Sequence, residues 1–194
     1  MNRGRRAFLA GAGALLAAPA RAQNPRTIRD SAGREVALPA RVTRVYAAGP
    51  PAGILLYALA PDLMIGWTSA FRAHERPFVP ERYADLPALG RLTGRGNTAN
   101  VEVVLEARPD LIFDYGTVND TYASLAERVQ RQTGIPYLLI DGRFDAMAES
   151  FRLLGEVVGL PERGRDFAAR TAAILADVSA RAGRVPQTQR PRVY

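Results

Sequence analysis

Side chains that could bind a small anionic or aromatic molecule follow three of the four apolar runs of this sequence. We expect them at the carboxyl ends of strands in an open parallel sheet, where ligands bind. They are Trp67, Thr68 and Arg72 after the second run, Tyr115 and Thr117 after the third, and Asp141 and Arg143 after the fourth. A glycine-rich loop carries Arg95 and is expected to fold over the same edge.

The chemistry of this set suits a ligand that has negatively charged oxygens and a flat face. Arginine presents N–H donors in a fork that fits carboxylates and other oxyanions, so Arg72, Arg95 and Arg143 are the predicted charge contacts. Trp67 and Tyr115 are the predicted walls, because aromatic rings stack on a flat ligand and supply apolar area.

Each of these residues also has a purely structural interpretation. An arginine in a loop is most often a solvated charge. Trp67 at a strand end can fill the core, and Asp141 can cap its own turn. The Gly94-Arg95-Gly96 segment lacks the Gly-Lys-Ser/Thr ending of a phosphate-binding loop. From the sequence alone, both interpretations stay open.

The residue types needed for catalysis or a resident metal are scarce. The chain has no cysteine and one histidine, His74, in an early loop. Thiolate sites are therefore excluded, and a bare zinc or manganese site, which normally needs several histidine and carboxylate ligands, is not expected. There is no Gly-x-Ser-x-Gly elbow. We predict a protein that is not an enzyme and that uses no cofactor.

The distribution of charge argues against nucleic acid as a partner. The formal net charge is +7, and all 26 basic residues are arginines. Beyond the first 22 residues they are interspersed with acids, whereas a nucleic-acid footprint is a clustered basic face, usually with lysine as well. The sequence gives no sign of oligomerisation, and we predict a monomer.

Residues 1–22 have the pattern of an export signal. Arg5-Arg6 resemble a twin-arginine signal, the segment 7–18 is apolar, and Ala20-Arg21-Ala22 fits the small-x-small cleavage rule. We expect cleavage after Ala22 and a periplasmic protein. No second long apolar stretch follows, and no cysteine is present to carry a lipid anchor.

Strand-like and helix-like segments alternate along the rest of the chain. A hairpin is predicted at 27–38, and buried strands at 44–48, 63–67, 111–115 and 137–140. Helices are predicted at 52–59, 101–107, 120–132, 146–158 and 162–182, with caps from Asn100, from Asp120 or Thr121, and from Asp145. Residues 68–100 are predicted to be a long loop. Strands that are apolar throughout are typical of a parallel sheet covered by helices on both faces. The predicted fold is thus a Rossmann-like α/β lobe followed by one long helix.

Several segments resemble class III periplasmic binding proteins of the iron-siderophore, haem and cobalamin uptake type. The segments that carry the resemblance are 27–38, 39–45, 55–59, the strand entry Asn100–Ile112 with its Ala-Arg-Pro-Asp-Leu-Ile ending, and 132–137. Their order and spacing cover nearly all of residues 26–194.

The resemblance implies two α/β lobes joined by one long helix, with the ligand between the lobes. On this basis residues 1–22 are the signal, 23–160 the N-terminal lobe, 161–183 the linking helix, and 184–194 the start of a truncated second lobe. The family captures a metal chelate and delivers it to an ABC permease in the inner membrane. A run that resembles a new strand at 192–194 suggests that the second lobe is missing from this sequence.

Two alternatives remain at this stage. Members of the same class bind molybdate, tungstate or other small oxyanions, which a small pocket of Arg, Thr and backbone N–H groups would suit. The chain could also be a truncated product without a transport function, since a lone lobe leaves its ligand surface half exposed.

Overall fold

The computed structural model describes residues 26–94 and 99–191. The strands are β1 Arg26–Arg29, β2 Glu35–Leu38, β3 Val45–Ala47, β4 Leu111–Gly116 and β5 Tyr137–Asp141. The α-helices are α1 Pro50–Leu59, α2 Glu81–Ala84, α3 Val101–Ala107, α4 Asp120–Thr133, α5 Met147–Val157 and α6 Pro161–Gly183. Short 3-10 turns lie at Pro61–Leu63, Arg76–Phe78, Phe144–Ala146 and Gln187–Gln189. The predicted export signal at 1–22 and the predicted strand start at 192–194 lie outside the described residues.

The core of the lobe is a parallel sheet in the order β3, β4, β5. Val45 lies beside Leu111, and Ile112 lies beside Tyr137. All three residues of β3 and the first four residues of β4 and of β5 are buried. Apart from Asp114, their side chains belong to two apolar clusters, one on each face of the sheet. Burial on both faces explains why the strand runs are apolar throughout, and it confirms the predicted α/β class.

The strand predicted at 63–67 is wrong as a regular strand. Pro61 starts a 3-10 turn, and the segment touches the sheet only through a single bridge between Met64 and Val45. Trp67 instead pairs with the segment 87–89, through Trp67 N to Pro87 O at 2.9 Å and Leu89 N to Trp67 O at 2.8 Å. Trp67 thus forms its backbone hydrogen bonds with a later loop and not with a neighbouring strand of the sheet.

The N-terminal hairpin is confirmed, and a buried carboxylate attaches it to the sheet. Asp30 Oδ1 accepts hydrogen bonds from the amides of Ala32 and Arg34, both at 2.9 Å. Asp30 Oδ2 accepts from the Arg34 guanidinium at 2.6 Å and from the amide of Leu139 in β5 at 3.2 Å. The Ser31 amide adds a bond to the Leu139 carbonyl at 2.9 Å. One carboxylate therefore fixes both the turn of the hairpin and its position against β5.

The helix caps agree with the sequence at one position and differ at two. Asn100 caps α3, since its Oδ1 accepts from the Val103 amide at 3.0 Å. The cap of α4 is Asn119, whose Oδ1 accepts from the Tyr122 amide at 3.1 Å, so the prediction of Asp120 or Thr121 is one or two residues late. Asp145 does not cap α5, because the chain forms a 3-10 turn there before the helix begins.

The long loop predicted at 68–100 contains some regular structure. The turn Arg76–Phe78 and the helix α2 lie within it, and Pro80 precedes α2. Proline at or beside a helix start costs little, because the first N–H groups of a helix lack partners in any case. The described part of this segment up to residue 94 therefore contains a 3-10 turn and a short helix.

Helix α6 packs against α5 at a point where both helices carry glycine. An ideal Cβ built on Gly164 would lie 2.8 Å from the Phe151 carbonyl oxygen and 2.9 Å from the Gly155 Cα. The rings of Phe151 and Phe167 pack beside this crossing, with centroids 5.0 Å apart. Farther along α6, Ile174 is 62% exposed and Val178 is 51% exposed. The first half of α6 is thus anchored, and the second half carries apolar side chains that the lobe does not cover.

Among the described helices, none combines the length and apolar character needed to cross a bilayer.

Candidate ligand-binding site

The carboxyl ends of β4 and β5 meet in unusually close contact. The Gly142 amide donates to the Gly116 carbonyl at 2.7 Å. An ideal Cβ on Gly142 would lie 2.5 Å from the Gly116 Cα and 2.8 Å from its nitrogen. Only glycine fits at position 142 without moving the backbone. The backbone of Gly116 and Gly142 therefore forms the floor of the site at this edge of the sheet, and the surrounding side chains form its walls.

An open polar cavity of about 560 Å³ lies over this floor. Its lining consists of Ser31, Gly116, Thr117, Val118, Asp141, Gly142 and Arg143. Asp141 and Arg143 form an ion pair, with Arg143 Nε 2.9 Å from Asp141 Oδ2, and the Arg143 amide donates to Asp141 Oδ1 at 2.9 Å. The hydrogen bond and the charge of Asp141 raise the pKa of Arg143. The guanidinium remains exposed on its other side and can reach a ligand in the cavity.

A smaller pocket of about 120 Å³ lies next to this cavity, at the start of α1. Gly49, Thr93, Asp114, Thr117 and Tyr122 are among the residues that line it. Asp114 is only 7% exposed, although it is charged and lies in an otherwise apolar strand. Burial raises the pKa of its carboxyl, while hydrogen bonds from the Thr93 hydroxyl and the Tyr115 amide act in the opposite direction.

An apolar groove of about 310 Å³ runs along the other side of Tyr115, between α1 and α5. It is lined by Pro51, Ile54, Leu55, Ala58, Tyr115, Met147 and Phe151. Tyr115 belongs both to this groove and to the pocket with Asp114. Burial and the charge of Asp141 raise the pKa of the Tyr115 phenol, which therefore stays neutral and can both donate and accept a hydrogen bond. This edge of the sheet thus has a polar half, formed by the open cavity and the small pocket, and an apolar half, formed by the groove. The Tyr115 ring lies between the small pocket and the groove.

Four of the predicted site residues come together at this edge. Tyr115, Thr117, Asp141 and Arg143 line the cavities that have just been described. Arg95 lies outside the described residues. Thr68 and Arg72 line neither cavity nor the groove; Arg72 is exposed in a turn, where its amide donates to Glu75 Oε2 at 2.7 Å.

Trp67 lies in the hydrophobic core instead of at the edge. Its side chain packs against Phe71 and Tyr57, with ring centroids 4.9 Å and 5.4 Å away, and the residue is 8% exposed. Its indole N–H donates to the Tyr83 carbonyl at 2.8 Å. This packing favours the core interpretation of Trp67, and nothing in the arrangement supports its predicted role as a wall of the site.

Sequence reasoning missed Asp114 and the apolar groove. Asp114 could have been found because it is the one carboxylate inside the run Leu-Ile-Phe-Asp-Tyr, and charged residues are rarely buried unless they are paired. Ile54 and Met147 carried no comparable signal. They are apolar residues on helices and are expected in the core as readily as on a binding surface.

Among the described residues, no group of three or more His, Cys, Asp or Glu side chains is arranged to hold a metal ion. The arrangement supports noncovalent recognition of a ligand by hydrogen bonds, by one exposed guanidinium and by apolar contact.

Asp114→Asn is expected to stabilise the chain at neutral pH, by a margin that shrinks in acid. Burial disfavours the ionised carboxyl in the folded state, so its unfavourable contribution is absent below the ordinary pKa of 3.8 and develops as the pH rises through the raised value. Urea unfolding at about pH 4 and about pH 7.5 measures the difference. Asp166→Asn removes an exposed acid on α6 and is the control. A margin that shrinks as the pH rises would contradict this assignment.

Comparison with known proteins identifies the family. A family model described as periplasmic binding protein matches residues 79–194, which is more than half of the sequence. The chain belongs to this family, which confirms the resemblance found in its segments. The family consists of solute-binding proteins and is not a class of enzymes. No curated protein matches the chain at a significant level.

Solved structures of the same fold agree. An ABC transporter solute-binding protein from Sulfurospirillum deleyianum has 28% identity and a TM-score of 0.74, over 87% of this chain and 53% of that one. A TroA-like periplasmic binding protein, FepB, from Veillonella parvula has 25% identity and a TM-score of 0.64, over 87% and 51%. The molybdate-bound periplasmic binding protein MolA from Haemophilus influenzae has 18% identity and a TM-score of 0.66, over 86% and 56%. The chain spans about half the length of these relatives.

Proposed function

We propose that this chain supplies one half of the ligand-binding cleft of a solute-binding protein that serves an ABC importer. The ligand is a metal chelate, such as a ferric siderophore, haem or cobalamin. The observation that carries the proposal is the position of Tyr115, which lines both the small pocket that contains Asp114 and the apolar groove. A chelate whose polar metal-binding groups are mounted on an apolar frame matches both halves of this edge.

The size and chemistry of the edge favour a chelate over a small oxyanion. The cavity of about 560 Å³ and the groove of about 310 Å³ are in the range of sites for drug-sized molecules. A tetrahedral oxyanion needs a small pocket with converging N–H donors. Here α1 begins with Pro50 and Pro51, which have no N–H to donate. The molybdate-bound relative, at 18% identity, supports the fold and not the ligand.

The division of the chain follows from the same proposal. Residues 23–160 form the first lobe, 161–183 the helix that links it to a second lobe, and 184–194 the start of that lobe. The ligand is bound between the two lobes outside the cytoplasm and is then delivered to the permease in the inner membrane. The exposed apolar side chains on the second half of α6 support this division, because a following lobe would cover them.

Isothermal titration of the 194-residue chain with haemin, cobalamin, a ferric trihydroxamate and molybdate tests the proposal. We expect at least one of the three chelates to bind and molybdate not to bind. Tyr115→Ala is expected to weaken that chelate by about tenfold or more, because burying an aromatic side chain contributes about 1.5–3 kcal/mol.

Phe78→Ala is the matched control for this titration. Phe78 is also aromatic, is 85% exposed and lines neither cavity nor the groove, so its removal should leave the affinity unchanged. Binding of molybdate alone would contradict a chelate as the ligand. Equal affinities for the Tyr115→Ala and Phe78→Ala variants would contradict the site.

A further inference from the structure

The small pocket beside the cleft edge is built around a carboxylate that has no cationic partner within the described part of the chain. None of the ion pairs found among residues 26–94 and 99–191 includes Asp114. Its Oδ1 accepts from the Tyr115 amide at 3.0 Å, and the Thr93 hydroxyl donates to the same carboxyl. Both donors are neutral. Among the residues that the structure describes, only neutral hydrogen-bond donors therefore stabilise the charge of Asp114, on the wall of a pocket that opens to the cleft.

A glycine keeps the space beside this carboxylate open. An ideal Cβ on Gly49 would lie 2.7 Å from Thr93 Oγ1 and 3.3 Å from Asp114 Oδ1. Any other residue at position 49 would push against the hydroxyl that supports the carboxylate. The backbone at Gly49 is extended, with φ −144° and ψ 166°, so the conformation itself does not require glycine. The requirement is for space next to Asp114.

The other charges at the edge do not offset Asp114. Three charged side chains from the described part of the chain line the cavity and the pocket: Asp114, Asp141 and Arg143. Arg143 is paired with Asp141, and that pair is close to neutral. These residues therefore give this half of the cleft a negative charge. An anionic ligand in the small pocket would meet like charge from Asp114, which is buried, and charges interact more strongly away from bulk water.

We propose that Asp114 sets the charge preference of the cleft: the bound chelate places a protonated amine or another hydrogen-bond donor beside this carboxylate, and chelates that present only anionic oxygens are disfavoured. This inference rests on the proposed function and names the ligand class within it. Among the described residues of the edge, Arg143 is already paired with Asp141, whereas Asp114 is an acid without a cationic partner. Asp114 is a specificity-determining residue in this scheme.

Three ferric chelates of similar size and different charge test this inference: a trihydroxamate with a free ammonium group, a neutral trihydroxamate and an anionic tricatecholate. Isothermal titration of the full-length chain is expected to rank them cationic first and anionic last. Asp114→Asn keeps an oxygen that can accept from the Tyr115 amide and removes the charge. We expect it to weaken the cationic chelate by about tenfold, to strengthen the anionic one, and to change the neutral one by less than about threefold.

The control and the opposing outcomes separate the two proposals. Asp166→Asn makes the same change of net charge on the exposed surface of α6 and should leave the ranking as it is. A role of Asp114 limited to folding would also leave the ranking of the chelates unchanged in Asp114→Asn. Binding of the chelates with the same ratios in both proteins would overturn this inference and leave the proposed function standing. Binding of none of the three, together with none of the other chelates, would overturn both.

Discussion

Replacing Asp30 with alanine is expected to lower the free energy of unfolding by about 3–5 kcal/mol, the range for removing one partner of a buried ion pair. The side chain of Asp30 is fully buried and holds the guanidinium of Arg34 at 2.6 Å. The substitution leaves that guanidinium, which is only slightly exposed, without its counter-charge. It also leaves the Leu139 amide of β5 without its acceptor and releases the turn of the hairpin.

Urea unfolding of the two proteins measures this loss, with Asp177→Ala as the control. Asp177 also pairs with an arginine four residues away, Arg181, at 2.9 Å, but both side chains are largely exposed. Exposed pairs of this kind contribute about 0.5 kcal/mol or less. A loss for Asp30→Ala no larger than that for Asp177→Ala would contradict the role of Asp30 as the link between hairpin and sheet.

Gly164→Ala is expected to lower the free energy of unfolding by about 1–3 kcal/mol, the usual cost of adding atoms to a well-packed contact. The added methyl would lie 2.8 Å from the Phe151 carbonyl oxygen and 2.9 Å from the Gly155 Cα. Both are backbone atoms, so relief requires that α5 and α6 move apart. Alanine has a higher helix propensity than glycine, by about 1 kcal/mol, and this acts against the loss. A net decrease in the free energy of unfolding would therefore have to come from the close contact between the helices.

Gly183→Ala provides the matched control on the same helix. Gly183 is the last residue of α6, and an ideal Cβ there meets nothing within 4 Å. The same substitution should therefore leave stability unchanged or raise it by up to about 1 kcal/mol. Chemical denaturation of the three proteins decides the matter. A Gly164→Ala protein as stable as Gly183→Ala would show that the helices do not cross as closely as described.

The sheet could be predicted from the sequence because its strands are short apolar runs separated by helical periods. The segments 111–115 and 137–140 fall on β4 and β5 within one or two residues. The predicted strand at 63–67 failed for a reason that local sequence does not contain. Trp67 pairs with residues 87–89, and that partner is chosen by the packing of a loop about twenty residues away.

The sequence predicts only those site residues that lie at or just after the carboxyl ends of the strands. Tyr115 is the last residue but one of β4 and Asp141 is the last residue of β5, so the rule for parallel sheets locates them. Arg143 is located because it comes two residues after Asp141. Trp67 follows the same rule by position, but its indole packs inward against Tyr57 and Phe71. Asp114 lies two residues before the end of β4, and its significance depends on the space left by Gly49, which no pattern in the sequence reveals.

Because α6 contacts α5 near its first turns, a small tilt of α6 at this contact would move its distant end by a larger distance. The helix is fixed at Gly164, where backbone touches backbone, and continues to Gly183. At 1.5 Å per residue this arm is about 28 Å long, so a tilt of about 10° at the crossing would move its far end by about 5 Å. The backbone contact at Gly155 and Gly164, together with the Phe151 and Phe167 rings beside it, therefore fixes the direction of α6 relative to α5 up to Gly183.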